Sequence, residues 1–177
     1  SLFDVDIWKW YSHQLKDVSA LRKFMLGILA EQKLKKTLAF AVFDKVSGSY
    51  AGSSRFMNLF PVHRRLEIGS TWYAPKFQKS YVNTETKYLM LSHAFENLRC
   101  IKVQLQTDAL NENSRRAIER LGAKFEGLFR NDRICEDGRI RHSVYYSIIA
   151  DEWAGVKTEL QKKLFRFFQV PKMAVFQ

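Results

Sequence analysis

An α+β fold built on a mixed sheet follows from three features of this 177-residue sequence. Extended and helical segments run in the order β-β-β-α-β-α-β-β, so strands precede helices instead of strictly alternating with them. Residues 101–107 (Ile-Lys-Val-Gln-Leu-Gln-Thr) alternate apolar and polar, the mark of a strand with one buried face. No internal repeat, low-complexity stretch or linker divides the chain, so one domain over residues 1–177 is expected.

Taken in order, residues 4–13 and 18–35 read as helical. In the second segment Val18, Leu21, Phe24, Met25, Ile28 and Leu29 recur at helical spacing behind Asp17, a residue suited to capping. Residues 37–44 and 49–58 are strands joined by the turn Lys45-Val46-Ser47-Gly48. Residues 66–73 form the next strand, rich in β-formers and ended by Ala74-Pro75. Residues 84–98 are helical, with Tyr88, Leu89, Leu91, Ala94, Phe95 and Leu98 on the apolar side. After the alternating strand, residues 111–121 make a short helix stopped by Gly122. Residues 123–130 and 139–149 pair as long antiparallel strands around a polar loop, 131–138. Residues 151–168 form a basic amphipathic helix, a pattern that suits a membrane surface or a partner but more often packs on its own domain, the outcome favoured here, and the tail beyond Pro171 has no period. Phe165, Phe167, Phe168 and Phe176 give that end enough aromatic surface to meet a second subunit, so a homodimer is compatible with it.

Composition narrows the function classes. Hydrophobic residues make up 46% and charged residues 27%, as in a soluble globular protein. No apolar run approaches the roughly 20 residues that cross a bilayer. Asp4, Asp6, Lys9 and His13 interrupt the apolar start, so no signal peptide is expected over these residues. The opening serine is compatible with processing or with a fragment. Cys100 and Cys135 have neither zinc-ligand nor redox spacing, so a cytoplasmic location is the simplest expectation. His63, His93 and His142 form no pattern with a third partner, and no metal cluster is visible. Twenty-nine basic against eighteen acidic residues give a net charge of +11. That charge reads either as a solvated surface with a local phosphate site or as attraction to RNA or the ribosome.

The chemistry concentrates between Leu66 and Ala123. The strand at 66–73 runs into Lys76-Phe77-Gln78-Lys79-Ser80-Tyr81-Val82-Asn83-Thr84 and then a helix. Backbone N–H groups at a helix start lack partners and attract phosphate oxygens. Three collinear stretches, Tyr73 to Asn83, Asn111 to Ala123, and Glu126 to Arg130, are followed by Asp137-Gly138, Tyr145-Tyr146-Ser147-Ile148 and Glu152-Trp153. On these residues the chain resembles the GCN5-related N-acetyltransferase superfamily, in the branch of ribosomal-protein N-terminal acetyltransferases. The resemblance implies a mostly antiparallel sheet with one splayed parallel pair and helices on both faces. It also implies a strand before the first helix, and no such strand is expected from residue 1 onward.

The resemblance further implies acetyl-coenzyme A held between the 66–73 and 101–107 strands. The backbone of Thr71, Trp72 and Tyr73 would face pantetheine and thioester, and Asn111 would contact pantetheine. Gln78, Lys79, Ser80, Tyr81, Val82, Asn83 and Thr84 would hold the pyrophosphate, with Lys79 and Tyr81 standing where the family has glycines. Glu67 falls on the position of the catalytic glutamate in the histone-acetylating branch. There it would deprotonate an amine substrate, either a small molecule or a protein N-terminus. Burial would raise its pKa usefully. Ser114 matches a proposed general acid, and Ile118 stands where many members carry a tyrosine. Structural roles remain open for each: Glu67 as a strand carboxylate paired with Arg64, Arg65 or a lysine, Trp72 and Tyr73 as core, and Asn111 and Ser114 as first-turn residues. A non-catalytic acyl-coenzyme A-binding module, or one associated with ribosome or RNA, is the alternative reading.

Overall fold

The computed structural model describes residues 6–13 and 15–169 of the chain. The expectations for residues 4 and 5, for Phe176 and for the tail beyond Pro171 fall outside that range. Helix α1 (Val18–Lys33) starts where Asp17 Oδ1 accepts the Ala20 N–H at 2.8 Å. Ahead of it the sequence suggested a helix, but the structure has a single 3-10 turn at Asp6–Trp8. Such a short segment cannot repay helix nucleation. Its aromatic residues are drawn instead onto other elements: Trp8 lies 5.2 Å from the Trp72 ring, and Tyr11 lies 6.1 Å from that of Phe24. No strand precedes α1 among the described residues.

Among the described residues six strands form one sheet, in the order β1-β2-β3-β4-β6-β5. Strands β1 (Leu38–Asp44) and β2 (Ser49–Phe60) form the expected hairpin, whose turn uses Gly48 at φ 63°. Strand β3 (Arg65–Tyr73) runs antiparallel to β2 and parallel to β4 (Lys102–Asp108). Strands β5 (Lys124–Ile134) and β6 (Ile140–Ile149) complete the far half. Strand β5 runs four residues into the stretch expected to be loop. Its polar residues sit in a bulge, where Asn131 takes φ 52° and donates its N–H to His142 Nδ1 at 2.8 Å.

Helix α2 (Val82–Ser92) begins two residues earlier than its periodicity suggested and passes into a π-helical turn at His93–Asn97. That turn brings Phe95 against Trp153, with ring centroids 5.3 Å apart. It also places Glu96 Oε1 to accept from Trp153 Nε1 at 2.8 Å and from Lys157 Nζ at 2.7 Å. Helix α3 (Glu112–Arg120) ends before Gly122, at φ 95°. Helix α4 (Ala150–Gln169) packs back on α2, burying Trp153 and Leu160. Helices α2, α3 and α4 share one face of the sheet, enclosing Phe56, Leu66, Ile68, Leu91, Val103, Tyr146 and Ile148. The other face carries Lys102, Gln104 and Gln106 and is crossed by α1 only over the first strands. That polar face holds the candidate site. No helix among the described residues is long and apolar enough to cross a membrane.

Candidate active site

The parallel pairing of β3 with β4 spans only Arg65–Glu67 against Lys102–Gln104. Beyond Glu67 the two strands part, although β3 stays paired to β2 and β4 to β6. The edge of β3 from Ile68 onward therefore presents backbone groups without a strand partner. A bulge sharpens the divergence. Ser53 pairs with Trp72 and Arg55 with Gly69, so Ser70 and Thr71 together oppose Ser54, with Ser70 at φ 50°. A bulge of this kind re-aims main-chain amides, and here it falls at the residues expected to face a thioester.

Glu67 lies where the pairing stops. It is 1% exposed and lines a cavity of about 520 Å³ with Asn58, Arg65, Lys102, Gln104 and Tyr145. Asn58 Nδ2 donates to Glu67 Oε2 at 2.8 Å, and Gln104 Nε2 sits 3.5 Å from the same oxygen. Burial pushes the carboxyl up from its ordinary range, and the Asn58 hydrogen bond partly opposes that shift. Among the described residues no lysine or arginine pairs with Glu67, so the ion-pair role is not what the structure builds. Gly69, next on this face, keeps room for the carboxylate: a Cβ there would come within 3.1 Å of Glu67 Oε1 and 2.7 Å of Met57 Sδ.

Other residues of this site were not singled out from sequence. Gln106 Oε1 and Arg55 Nε are buried on this side without hydrogen-bond partners among the described residues. Arg55 Nη1 meets Glu31 of α1 at 3.1 Å. The alternation of Lys102, Gln104 and Gln106 was the available signal, since three long polar side chains on one strand face mark a working surface.

The loop after β3 differs from a glycine-rich turn in an instructive way. Lys79 has φ 55°, the left-handed conformation that glycine would supply, so the backbone path is kept while the residue type is not. Tyr81, the second substitution, has φ −67° and needs no glycine. Its hydroxyl donates to Asp44, and its ring lies 5.0 Å from Phe168 of α4. Gln78 Nε2 donates to the Tyr73 carbonyl at 3.0 Å, while Ser80 Oγ donates to the Phe77 carbonyl at 2.6 Å and accepts from the Val82 N–H at 3.2 Å. These two side chains hold the loop itself. The first helical bond runs from the Glu85 N–H to the Tyr81 carbonyl at 2.9 Å, so the Asn83 and Thr84 amides precede the ladder. A pyrophosphate fits that arrangement, and an extended chain of amides fits the open edge of β3.

Past the end of β4, Asn111 Oδ1 accepts the Ser114 N–H at 3.1 Å, which is the capping role. Ser114 is half-buried on the first turn of α3. It stands beyond the open end of the splay, whereas Glu67 stands at its closed end. Arg115 donates to Tyr146 Oη and to the Ala109 carbonyl, each at 3.3 Å, and Arg116 to Glu112 at 3.1 Å. Neither arginine is held toward the loop. No group of three or more His, Cys, Asp or Glu residues among the described ones could hold a metal ion.

Comparison with known proteins gives concordant matches. The family model of the acetyltransferase (GNAT) domain matches residues 2–124. A curated relative, "Putative ribosomal N-acetyltransferase YdaF" of Bacillus subtilis (strain 168), is 36% identical over 110 residues. That match takes in 62% of this chain and 59% of the relative's length. A crystal structure named "putative acetyltransferase" from T. thermophilus is 38% identical, with a TM-score of 0.82, over 92% of this chain and 84% of that one. A GCN5-related N-acetyltransferase from Brucella melitensis is 30% identical, with a TM-score of 0.81, over 90% and 71% of the two chains.

Proposed function

The chain belongs to the acetyltransferase (GNAT) domain family, and from that membership we propose that it transfers acetyl from acetyl-coenzyme A directly to a primary amine. A protein N-terminus is the acceptor favoured by the kinship with a relative named for ribosomal N-acetylation. The observation that carries this reading is the open edge of β3 next to a buried Glu67 that has no ion-pair partner among the described residues. Acetyl-coenzyme A supplies an activated acyl carbon as a thioester.

The protein's own groups fall into three roles. The amides of Asn83 and Thr84, beside left-handed Lys79, receive the pyrophosphate, and the backbone of Thr71, Trp72 and Tyr73 lines the donor. Glu67 takes the proton that an ammonium must lose before its nitrogen attacks the acyl carbon. Its raised pKa makes it a stronger base than an exposed carboxylate once it is ionised. Strand amides beyond the bulge donate to the oxygen on which negative charge develops. As the carbon–sulfur bond breaks, the leaving thiolate takes a hydrogen bond or proton from Ser114 or from water.

Calorimetry with acetyl-coenzyme A, paired with a free-thiol release assay against peptides of varied N-terminus, tests the proposal. Binding and thiol release are expected, with release lost in Glu67→Gln while donor affinity stays within about threefold. Absence of binding at millimolar donor removes the reading. Binding without release against any amine favours the non-catalytic alternative.

A further inference from the structure

Behind the bulge, inside the core, sits a lysine amine with no acidic partner among the described residues. Lys87 is on the buried side of α2, between Val82 and Met90 on the same stripe, and is only 4% exposed. Its Nζ donates to Ser54 Oγ at 3.0 Å and to Thr71 Oγ1 at 2.5 Å. Those two hydroxyls lie 2.8 Å apart. Ser54 is the β2 residue that the bulge skips, and Thr71 is one of the two β3 residues opposite it.

A buried lysine held only by hydroxyls costs stability that a methionine or leucine would not. Its desolvation lowers the amine pKa to about 7. The core that α2 covers is largely apolar, with Phe56, Ile68, Met90 and Leu91 among its buried residues. A group so costly, aimed at the bulge where β3 leaves β4, calls for a role at that place.

We propose that Lys87 is a positioning residue, a three-point clamp that fixes the β2–β3 bulge from the core side and thereby sets the direction of the main-chain amides after Glu67. This rests on the acetyl-transfer reading for its catalytic consequence, though the clamp can be tested without it. In an unclamped strand Ser70 would relax from φ 50° toward the extended region, Ser54 would regain a single partner, and the amide edge would turn. Donor binding along the rest of the strand would persist, because the loop and the Asn83 and Thr84 amides are untouched.

The experiment uses the full chain as Lys87→Met, Thr71→Val and the double variant. Hydrogen exchange at residues 69–72, measured without ligand, is expected to quicken about tenfold or more in Lys87→Met while the β4–β6 amides stay protected. In the transfer assay kcat is expected to fall about tenfold or more, with KM for acetyl-coenzyme A changed less than about threefold. Because Lys87 acts through Thr71, the double variant is expected within about twofold of Lys87→Met, far from the product of the single losses. Unchanged exchange overturns the clamp whatever the activity does. Quickened exchange with kcat within twofold of the wild type overturns the positioning role. A wild-type protein that transfers to no amine defeats the acetyl-transfer reading and the catalytic consequence together, and exchange then decides the clamp alone.

Discussion

Replacing Lys87 by methionine should make this protein more stable, and by an amount that depends on pH. Burial lowers the Lys87 amine from 10.5 to about 7, with desolvation as the cause. Between those two values the unfolded chain holds the proton and the folded chain does not, so unfolding takes up a proton. Stability from this group is therefore complete above 10.5, falls as pH drops toward 7, and stays low below 7. At about 1.4 kcal/mol per unit, the difference over the window is about 5 kcal/mol. Methionine is close in length and removes the penalty, at the cost of two hydrogen bonds. Ser54 and Thr71 keep each other at 2.8 Å, so neither hydroxyl is stranded and the loss is about 1–2 kcal/mol. The expected net gain is about 3 kcal/mol at pH 7, shrinking steadily toward pH 9.5. Urea unfolding of both proteins from pH 6 to 9.5 measures it, and the difference between them isolates this one side chain. A variant less stable at pH 7, or a difference flat with pH, refutes the reasoning. A gain in stability alongside a loss in turnover would show an amine retained against folding energy.

Three further outcomes follow from other sites. Glu67→Gln should raise stability more at pH 8 than at pH 4. The folded-state pKa of Glu67 is raised by burial, so its contribution is full below the unfolded value and is lost as pH rises through the folded one; thermal melts at the two pH values check the sign. Gly52→Ala should cost about 3 kcal/mol or more, because its Cβ would lie 2.0 Å from the Trp72 carbonyl oxygen, and only backbone movement of β3 relieves that; denaturant unfolding and the expression level of folded protein report it. Asn111→Ala should cost about 1 kcal/mol by removing the cap on the Ser114 N–H, with Asn111→Asp recovering most of it in the same unfolding measurement.

Much of the fold could be read directly from the residues, because its elements carry their own periodicity. The alternating strand at Lys102–Asp108, the hairpin at Leu38–Asp44 and Ser49–Phe60, and the Asp17-capped helix each announce themselves locally. The misplacements have tertiary causes. Over residues 84–98 the periodicity puts Leu89 and Leu98 on the apolar side, yet these are 59% and 48% exposed, while Thr86 and Lys87 are buried with Met90 and Leu91. A lysine in a helix reads as solvated, and only the hydroxyls of two strands reverse that. Asn131-Asp132-Arg133 reads as loop because the imidazole that receives its backbone N–H is eleven residues away. In the site, Glu67 was reachable through family likeness. Its burial and its partners Asn58 and Gln104 depend on strand register, which composition does not encode. The left-handed backbone at Lys79 was hidden for the opposite reason, since a lysine conceals a geometry that glycine would have advertised.

The brevity of the β3–β4 contact has a mechanical consequence. With three residues on each side joined, the sheet is nearly two sheets: a ribbon of β1, β2 and β3 and another of β4, β6 and β5, spliced at one corner and bridged by α2. An extended molecule laid in the gap would act as a surrogate seventh strand, restoring continuity to a lattice that the polypeptide leaves unfinished. Cohesion between the ribbons, and with it their freedom to scissor about the corner at Glu67, would then be governed as much by the guest as by the chain.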